Sequence, residues 1–281
     1  MHPVIVDVGW AHVGSHEFFV ALGVLVAAVV VVLESRRRGT WGDGMLAAVA
    51  GGLVGGALGM RASALVRDPG VLLQLPLGDL LQDGAKSVLG GLTGAYVGVL
   101  VGKRLVGHRE RTGDVFAPAV ALGMAVGRIG CLLTEPPGRP TSLPWAVHLS
   151  PEQAAAIPGC TACVPGTGLH PSFAYEIVFQ LVAFGVLLAL RERVAAPGAL
   201  LTFYLAGYAG FRFAVEFTRD NEAVLAGLTR GQLFLLAVAP LLLWRTVVLV
   251  RREVARGAVR RLAPTAPAPI AAAPIQAGGA R

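Results

Sequence analysis

The chemistry available to this sequence centres on two arginines set in apolar surroundings. Arg128 lies in the run FAPAVALGMAVGRIGCLL from Phe116 to Leu133, which continues as TEPPGRPTSLPW to Trp145. Arg212 lies in another apolar run, where Tyr204, Tyr208, Arg212 and Glu216 recur every four residues, so all four share one helix face. A guanidinium at the centre of a membrane helix costs roughly 2.5 to 3.5 kcal/mol, so one that persists there faces a polar cavity, a partner or an anionic ligand. Counted along a helix from the inner ends of their runs, Arg128 and Arg212 reach similar depth in the outer half of the membrane. Two cations at one level require an anion between them. A phosphate suits the pair, because planar guanidinium donors engage two oxygens at once. In that half of a bilayer the abundant phosphate is a phospholipid head group. The competing reading is a structural network in which Glu216 neutralises Arg212 and Arg128 meets Glu176 or Glu135.

A third run starts with HPSFAYE and brings His170, Tyr175 and Glu176 to the same outer boundary. The expected substrate-binding set is Arg128, Arg212, Tyr204, Tyr175, Glu176 and His170.

The elements that position these residues are membrane helices. The chain has 281 residues, of which 54% are hydrophobic and 15% charged, with mean hydropathy +0.65, which excludes an ordinary soluble domain. A net charge of +7 and a pI near 10.0 could indicate a nucleic-acid partner. The basic residues instead fall in short connections between apolar runs, where they set membrane orientation, and no nucleic acid is expected. The apolar runs cover 16–33, 45–66, 86–102, 115–133, 172–190, 198–217 and 231–250. Of the 24 Lys and Arg, 16 lie in alternate connections, at Arg36 to Arg38, at Lys103, Arg104, Arg109 and Arg111, at Arg191 and Arg193, and in the tail from Arg245.

The expectation is an all-α polytopic membrane protein of seven transmembrane helices, with the N-terminus outside and the C-terminus cytoplasmic. One membrane domain spans 1–262, with an outer loop at 134–171, and the Pro/Ala-rich tail 263–281 is expected to be disordered in the cytoplasm. The first run begins far from the N-terminus and lacks a basic leader, so it is expected to stay as an anchor. Gly51, Gly55 and Gly59, and Gly90, Gly94, Gly98 and Gly102, repeat every four residues and give the second and third helices smooth packing faces. Residues 67–85 are expected to form an outer loop with a short interfacial helix.

Cys131 is expected to be a small packing residue. Cys160 and Cys163 lie in the outer loop, where an oxidising compartment favours a disulfide. Free thiols, or a zinc site completed by His148 and His170, are the alternatives.

Taken in order, GRIGC, PTSLPW, HPSFAYE and YAGFRFAVEFTRDN resemble the motifs of the prolipoprotein diacylglyceryl transferase family over most of the chain, about residues 16–250. The resemblance implies a bacterial inner-membrane enzyme, multi-pass, with its active site facing the outer leaflet. Such enzymes move a diacylglyceryl group from phosphatidylglycerol to the lipobox cysteine thiol of a lipoprotein precursor, releasing glycerol 1-phosphate. The implied partners are phosphatidylglycerol, precursor signal peptides and membrane lipids, with no metal or organic cofactor. By similarity, Arg128 matches the arginine of the family's signature helix, Arg212 and Glu216 match residues of its late helix, and Tyr208 a tyrosine on the same face; these four are the expected catalytic residues. The chain departs from the pattern at four places. Leu89 stands where a histidine is usual, Cys131 where an asparagine is usual, HPSFAYE replaces HPSQLYE, and Phe18 or Phe19 replaces a tyrosine. Without that histidine the candidate bases are Glu176, His170 and His148, and the arginines offer an electrostatic route to thiol activation. The alternative function is a non-catalytic phospholipid-binding or lipid-transport protein on the same scaffold.

Overall fold

The computed structural model describes residues 4–7, 12–67, 88–155, 157, 160 and 162–262. Most of the expected outer loop at 67–85, and the expected disordered tail at 263–281, lie outside the described residues. A hairpin of β1 (Val4–Asp7) and β2 (His12–Gly14) leads into α1 (Ser15–Arg37). Next come α2 (Asp43–Arg67), α3 (Val88–Leu105) and α4 (Gly113–Thr134). The stretch between α4 and the next long helix carries β3 (Val147–His148), the one-turn α5 (Pro151–Ala155) and β4 (Gly168–Leu169). Then α6 (Ser172–Leu190) and α7 (Ala199–Val215) follow, with a 3-10 turn at Glu216–Thr218. The hairpin of β5 (Ala223–Leu225) and β6 (Leu228–Thr229) enters α8 (Arg230–Leu262).

Each of the seven apolar runs overlaps one of the long helices. Five of these, α1, α2, α4, α6 and α8, are long and apolar enough to cross a membrane. The other two, α3 and α7, have 18 and 17 residues and are the shortest of the seven. The chain is therefore a mostly helical, polytopic membrane protein. Its side chains are sorted as a bilayer dictates. Leu25, Leu33, Leu58, Leu241 and Leu243 are exposed, while Glu34, Asp114, Arg128, Glu176, Gln180 and Glu216 are buried. Large apolar groups meet lipid tails at no cost, whereas polar groups there must turn inward and find partners.

The central element is α4. It buries Asp114, Val115, Ala117, Ala119, Ala121, Ala125, Arg128 and Cys131 inside the bundle, more residues than any other long helix among those described. It packs on α1, α6 and α7, sharing one core with Leu187, Leu200, Tyr204 and Tyr208 and another with Val31 and Met45. The repeated glycines bring α2 and α3 into backbone contact. A Cβ on Gly55 would lie 2.3 Å from the Gly94 carbonyl oxygen, and one on Gly94 2.2 Å from that of Gly55. Only a face without side chains permits so close an approach.

At one end of the bundle, the Asp114 carboxylate accepts hydrogen bonds from Gly198 N at 2.7 Å and Leu200 N at 2.9 Å. This cap levels the starts of α4 and α7, and the two helices run in the same direction. The same end holds buried Glu34, which accepts from Arg37 at 2.6 Å, Arg38 at 2.8 Å and Arg191 at 3.1 Å.

At the opposite end, the described part of residues 135–171 folds around Leu149, Ile157, Cys163 and Leu169. Cys160 and Cys163 are joined in a disulfide, the first of the three states expected from the sequence. This segment is tied to the chain after α7. Gly138 N donates to His170 O at 2.8 Å, Arg139 N to Thr218 O at 2.8 Å, and Ser172 Oγ to Thr218 O at 3.1 Å. A Cβ on Gly138 would lie 2.0 Å from Thr218 O, so the contact requires glycine. The start of α8 is fixed by a capping box: Thr229 N donates to Gln232 Oε1 at 3.0 Å and Gln232 N to Thr229 Oγ1 at 3.3 Å, the reciprocal pattern of Thr followed three residues later by Gln.

Candidate active site

The Asp114 cap explains how two distant arginines meet. Arg128 lies fourteen residues beyond Asp114 on α4, and Arg212 fourteen beyond Gly198 on α7, so a common start carries both about 21 Å along the bundle at about 1.5 Å per residue. Between them stands Glu176, in the first turns of α6 and inaccessible to solvent. Arg128 Nη2 donates to Glu176 Oε1 at 2.9 Å, and Arg212 Nε lies 3.8 Å from the same oxygen. Tyr208 donates its hydroxyl proton to Glu176 Oε1 at 2.8 Å. One carboxylate oxygen thus collects two guanidinium groups and a phenol.

A third guanidinium completes the cluster. Arg219 follows the 3-10 turn, and the Arg139 and Ser172 contacts to Thr218 hold the chain just before it. Its Nη1 lies 3.8 Å from Glu176 Oε2 and its Nη2 3.6 Å from Glu135 Oε2. Both are ion pairs beyond hydrogen-bonding distance, and Glu176 Oε2 is buried with no hydrogen-bond partner among the described residues. The Arg219 guanidinium stacks 4.3 Å from the Phe173 ring centre, and Arg128 lies 5.9 Å from the same ring. Burial first, then the charges of Arg212 and Arg128, push the Arg219 guanidinium below its ordinary range, against the pull of Glu176 and Glu135. Arg128, Arg212 and Arg219 face two buried carboxylates, Glu176 and Glu216, while Glu135 is one-third exposed. The buried part of the cluster carries surplus positive charge, which favours an anionic ligand.

Glu216 is an anchor in this arrangement. It pairs with Arg212 and accepts from Asn221 Nδ2 at 2.8 Å and Thr229 Oγ1 at 2.9 Å. Those bonds tie the end of α7 to the start of α8. Leu89 reaches the same place: its Cδ1 and Glu216 Oε1 each lie 3.8 Å from the position of a Cβ on Gly231. An alkyl group beside the cluster supplies no proton acceptor.

The remaining expected residues divide. Tyr204 shares the face of Tyr208 and stacks on it with ring centres 6.1 Å apart, but its hydroxyl donates to Gln180 Oε1 at 2.8 Å, one turn deeper than Glu176. Tyr175 and His170 form a separate chain, in which Trp145 Nε1 lies 2.9 Å and His170 Nδ1 3.2 Å from the Tyr175 hydroxyl. His148 lines a cavity of about 290 Å³ beside the cluster, together with Leu132, Leu133, Glu135, Leu149 and Phe173. Cys131 is buried as a packing residue would be, yet its sulfur lies 3.5 Å from Arg128 Nη1 and 3.8 Å from His16 Nδ1.

Both partnerships of the structural alternative are present, Arg128 with Glu176 and Arg212 with Glu216. Arg219 is the residue that sequence reasoning missed. It lies beyond the end of α7 and the 3-10 turn, where the helical repeat that links Tyr204, Tyr208, Arg212 and Glu216 no longer applies.

Comparison with known proteins shows the family. The family model described as prolipoprotein diacylglyceryl transferase matches residues 3–249. A phosphatidylglycerol–prolipoprotein diacylglyceryl transferase of Bordetella parapertussis is 34% identical over 231 residues, covering 74% of this chain and 81% of that protein. Proteins of the same name from Ruegeria pomeroyi and Pasteurella multocida are 30% identical over 256 residues and 29% over 246, covering 79% and 82% of this chain and 85% and 83% of theirs. The chain belongs to the prolipoprotein diacylglyceryl transferase family.

Proposed function

We propose that this transferase moves a diacylglyceryl group from phosphatidylglycerol to the cysteine thiol of a lipoprotein precursor, with Arg128, Arg212 and Arg219 holding the lipid phosphate. The observation that carries this reading is the convergence of three guanidinium groups on one buried carboxylate, Glu176, which leaves positive charge in surplus. In the reaction the thiol sulfur bonds the terminal glyceryl carbon of the diacylglycerol. The bond from that carbon to the phosphate oxygen breaks, the electron pair leaves with the phosphate as glycerol 1-phosphate, and the thiol proton passes to a base or to water. Charge grows on the phosphate as it departs, so arginines preset around it stabilise the transition state more than the ground state. Their field also favours the thiolate.

Tyr208 orients Glu176, and Glu216 orients Arg212. In this reading the chain crosses the membrane seven times with the N-terminus outside, and the cluster lies near the outer leaflet. The end of the bundle holding Glu34 and Asp114 is flanked by Arg36 to Arg38, Lys103, Arg104, Arg191 and Arg193, which the positive-inside rule assigns to the cytoplasm. The precursor then approaches with its signal peptide in the bilayer and its cysteine at the outer boundary.

Leu89 supports a second reading, in which the scaffold binds phospholipid without transferring it. Complementation of a strain lacking the transferase, with lipidation read by mass, separates the two. A lipoprotein gaining the mass of a diacylglyceryl group supports transfer; survival of only the unmodified precursor supports binding alone.

A further inference from the structure

We propose that His16, Cys131 and Glu135 form a binding site for a thiophilic divalent cation of the zinc class, bridging α1 to α4 beside the arginine cluster. The three ligand atoms lie within 4.8 Å of one another. His16 Nδ1 is 3.8 Å from Cys131 Sγ and 3.7 Å from Glu135 Oε1. Zinc bonds of about 2.3 Å to sulfur and about 2.0 Å to nitrogen or oxygen, at tetrahedral angles, separate neighbouring ligands by about 3.3 to 3.5 Å. The two His16 separations exceed these values by only a few tenths of an ångström, and the Cys131 and Glu135 atoms, within 4.8 Å of each other, must close by at most about 1.3 Å. Imidazole, thiolate and carboxylate are the ligand types zinc selects.

Two of the three ligands are already oriented from behind. Arg128 Nη1 lies 3.5 Å from the Cys131 sulfur, and Arg219 Nη2 lies 3.6 Å from Glu135 Oε2, whereas His16 pairs with Oε1. Glu135 can therefore give Oε1 to a metal while Oε2 keeps its contact with Arg219. Outer contacts of this kind fix the orientation of metal ligands. The guanidinium groups also oppose the charge of a bound cation; thiolate and carboxylate together offset a divalent ion. His16 and Glu135 side chains are 28% and 36% exposed, which leaves an entry path and a fourth position for water. The site follows from the cysteine three residues after Arg128, and it does not depend on the lipid reading.

The test uses Co²⁺ as probe with the purified full chain. The sequence holds three cysteines, and two are joined in the disulfide, so a sulfur-to-cobalt charge-transfer band reports Cys131 alone. The parent should develop this band at one equivalent of Co²⁺ and lose it when Zn²⁺ is added. C131S should abolish the band, and H16A and E135Q, at the exposed edge of the site, should each weaken Co²⁺ binding at least tenfold, with unfolding temperatures matching the parent. No band in the parent, or an undiminished affinity in both H16A and E135Q, overturns the proposal.

Discussion

Arg128 is fixed to Glu176 by a 2.9 Å hydrogen bond between α4 and α6, and both side chains are buried. Glu176 also draws in Arg212, Arg219 and Tyr208, so its charge balances more than one partner. Removing one member of a buried pair costs about 3 to 5 kcal/mol, because the other charge stays uncompensated. Glu176→Gln should lower the unfolding temperature of the purified protein clearly and abolish transfer. A variant as stable as the parent would show that the cluster does not depend on this carboxylate.

Tyr208 and Tyr204 share a helix face but not a partner. The first bonds Glu176 and the second Gln180. A hydrogen bond to a charged group is worth about 1.5 to 3 kcal/mol, so Tyr208→Phe should cut transfer by roughly tenfold to a hundredfold. Tyr204→Phe should cost less than about threefold, since it touches no charge. Equal losses in initial-rate assays would contradict the division of roles.

Leu89 and Glu216 approach the same point near Gly231. A histidine at position 89 would bring a base with an ordinary pKa of about 6.5 to the edge of the cluster. General-base assistance is commonly worth about 10²-fold to 10⁴-fold, so Leu89→His should raise transfer at least about tenfold at pH 7.5. The rate should fall as the pH drops through the imidazole pKa, because the protonated ring accepts no proton. An unchanged rate and pH profile, with normal lipid binding, would remove position 89 from the chemistry.

Membrane sidedness gives a separate check. On a background with Cys131, Cys160 and Cys163 replaced by serine, single cysteines near Arg109 and near Glu152 should react with an impermeant reagent from opposite sides of the membrane. Both residues are exposed. Reaction of both from outside would overturn the seven-span arrangement.

Periodicity and depth made much of the cluster legible in the sequence. Tyr208, Arg212 and Glu216 follow the helical repeat, and Arg128 meets Arg212 because Asp114 levels the two helix starts. The facing glycines of α2 and α3 were readable for the same reason: a four-residue repeat marks one face whatever lies against it. Arg219 was not legible in this way, because periodicity places residues only within a helix and this one follows the 3-10 turn. The chain there is held by Arg139 and Ser172, which come from distant parts of the sequence. The choice of Glu176 over Glu135 as partner of Arg128 also depends on how α6 packs against α4. Glu135 turns instead to His16 and Arg219.

The central claim is that the arginines hold the phosphate through planar, two-pronged contacts. Lysine keeps the charge and loses that geometry. The most direct test is phosphatidylglycerol binding by purified Arg128→Lys, Arg212→Lys and Arg219→Lys, each matched to the parent in unfolding temperature and measured beside thiol transfer. The expected result is at least about tenfold weaker binding in each variant, corresponding to about 1.4 kcal/mol, with transfer reduced further. If Arg128→Lys and Arg212→Lys both bind and transfer like the parent, the arginines serve only their pairs with Glu176 and Glu216, and the phosphate clamp is wrong.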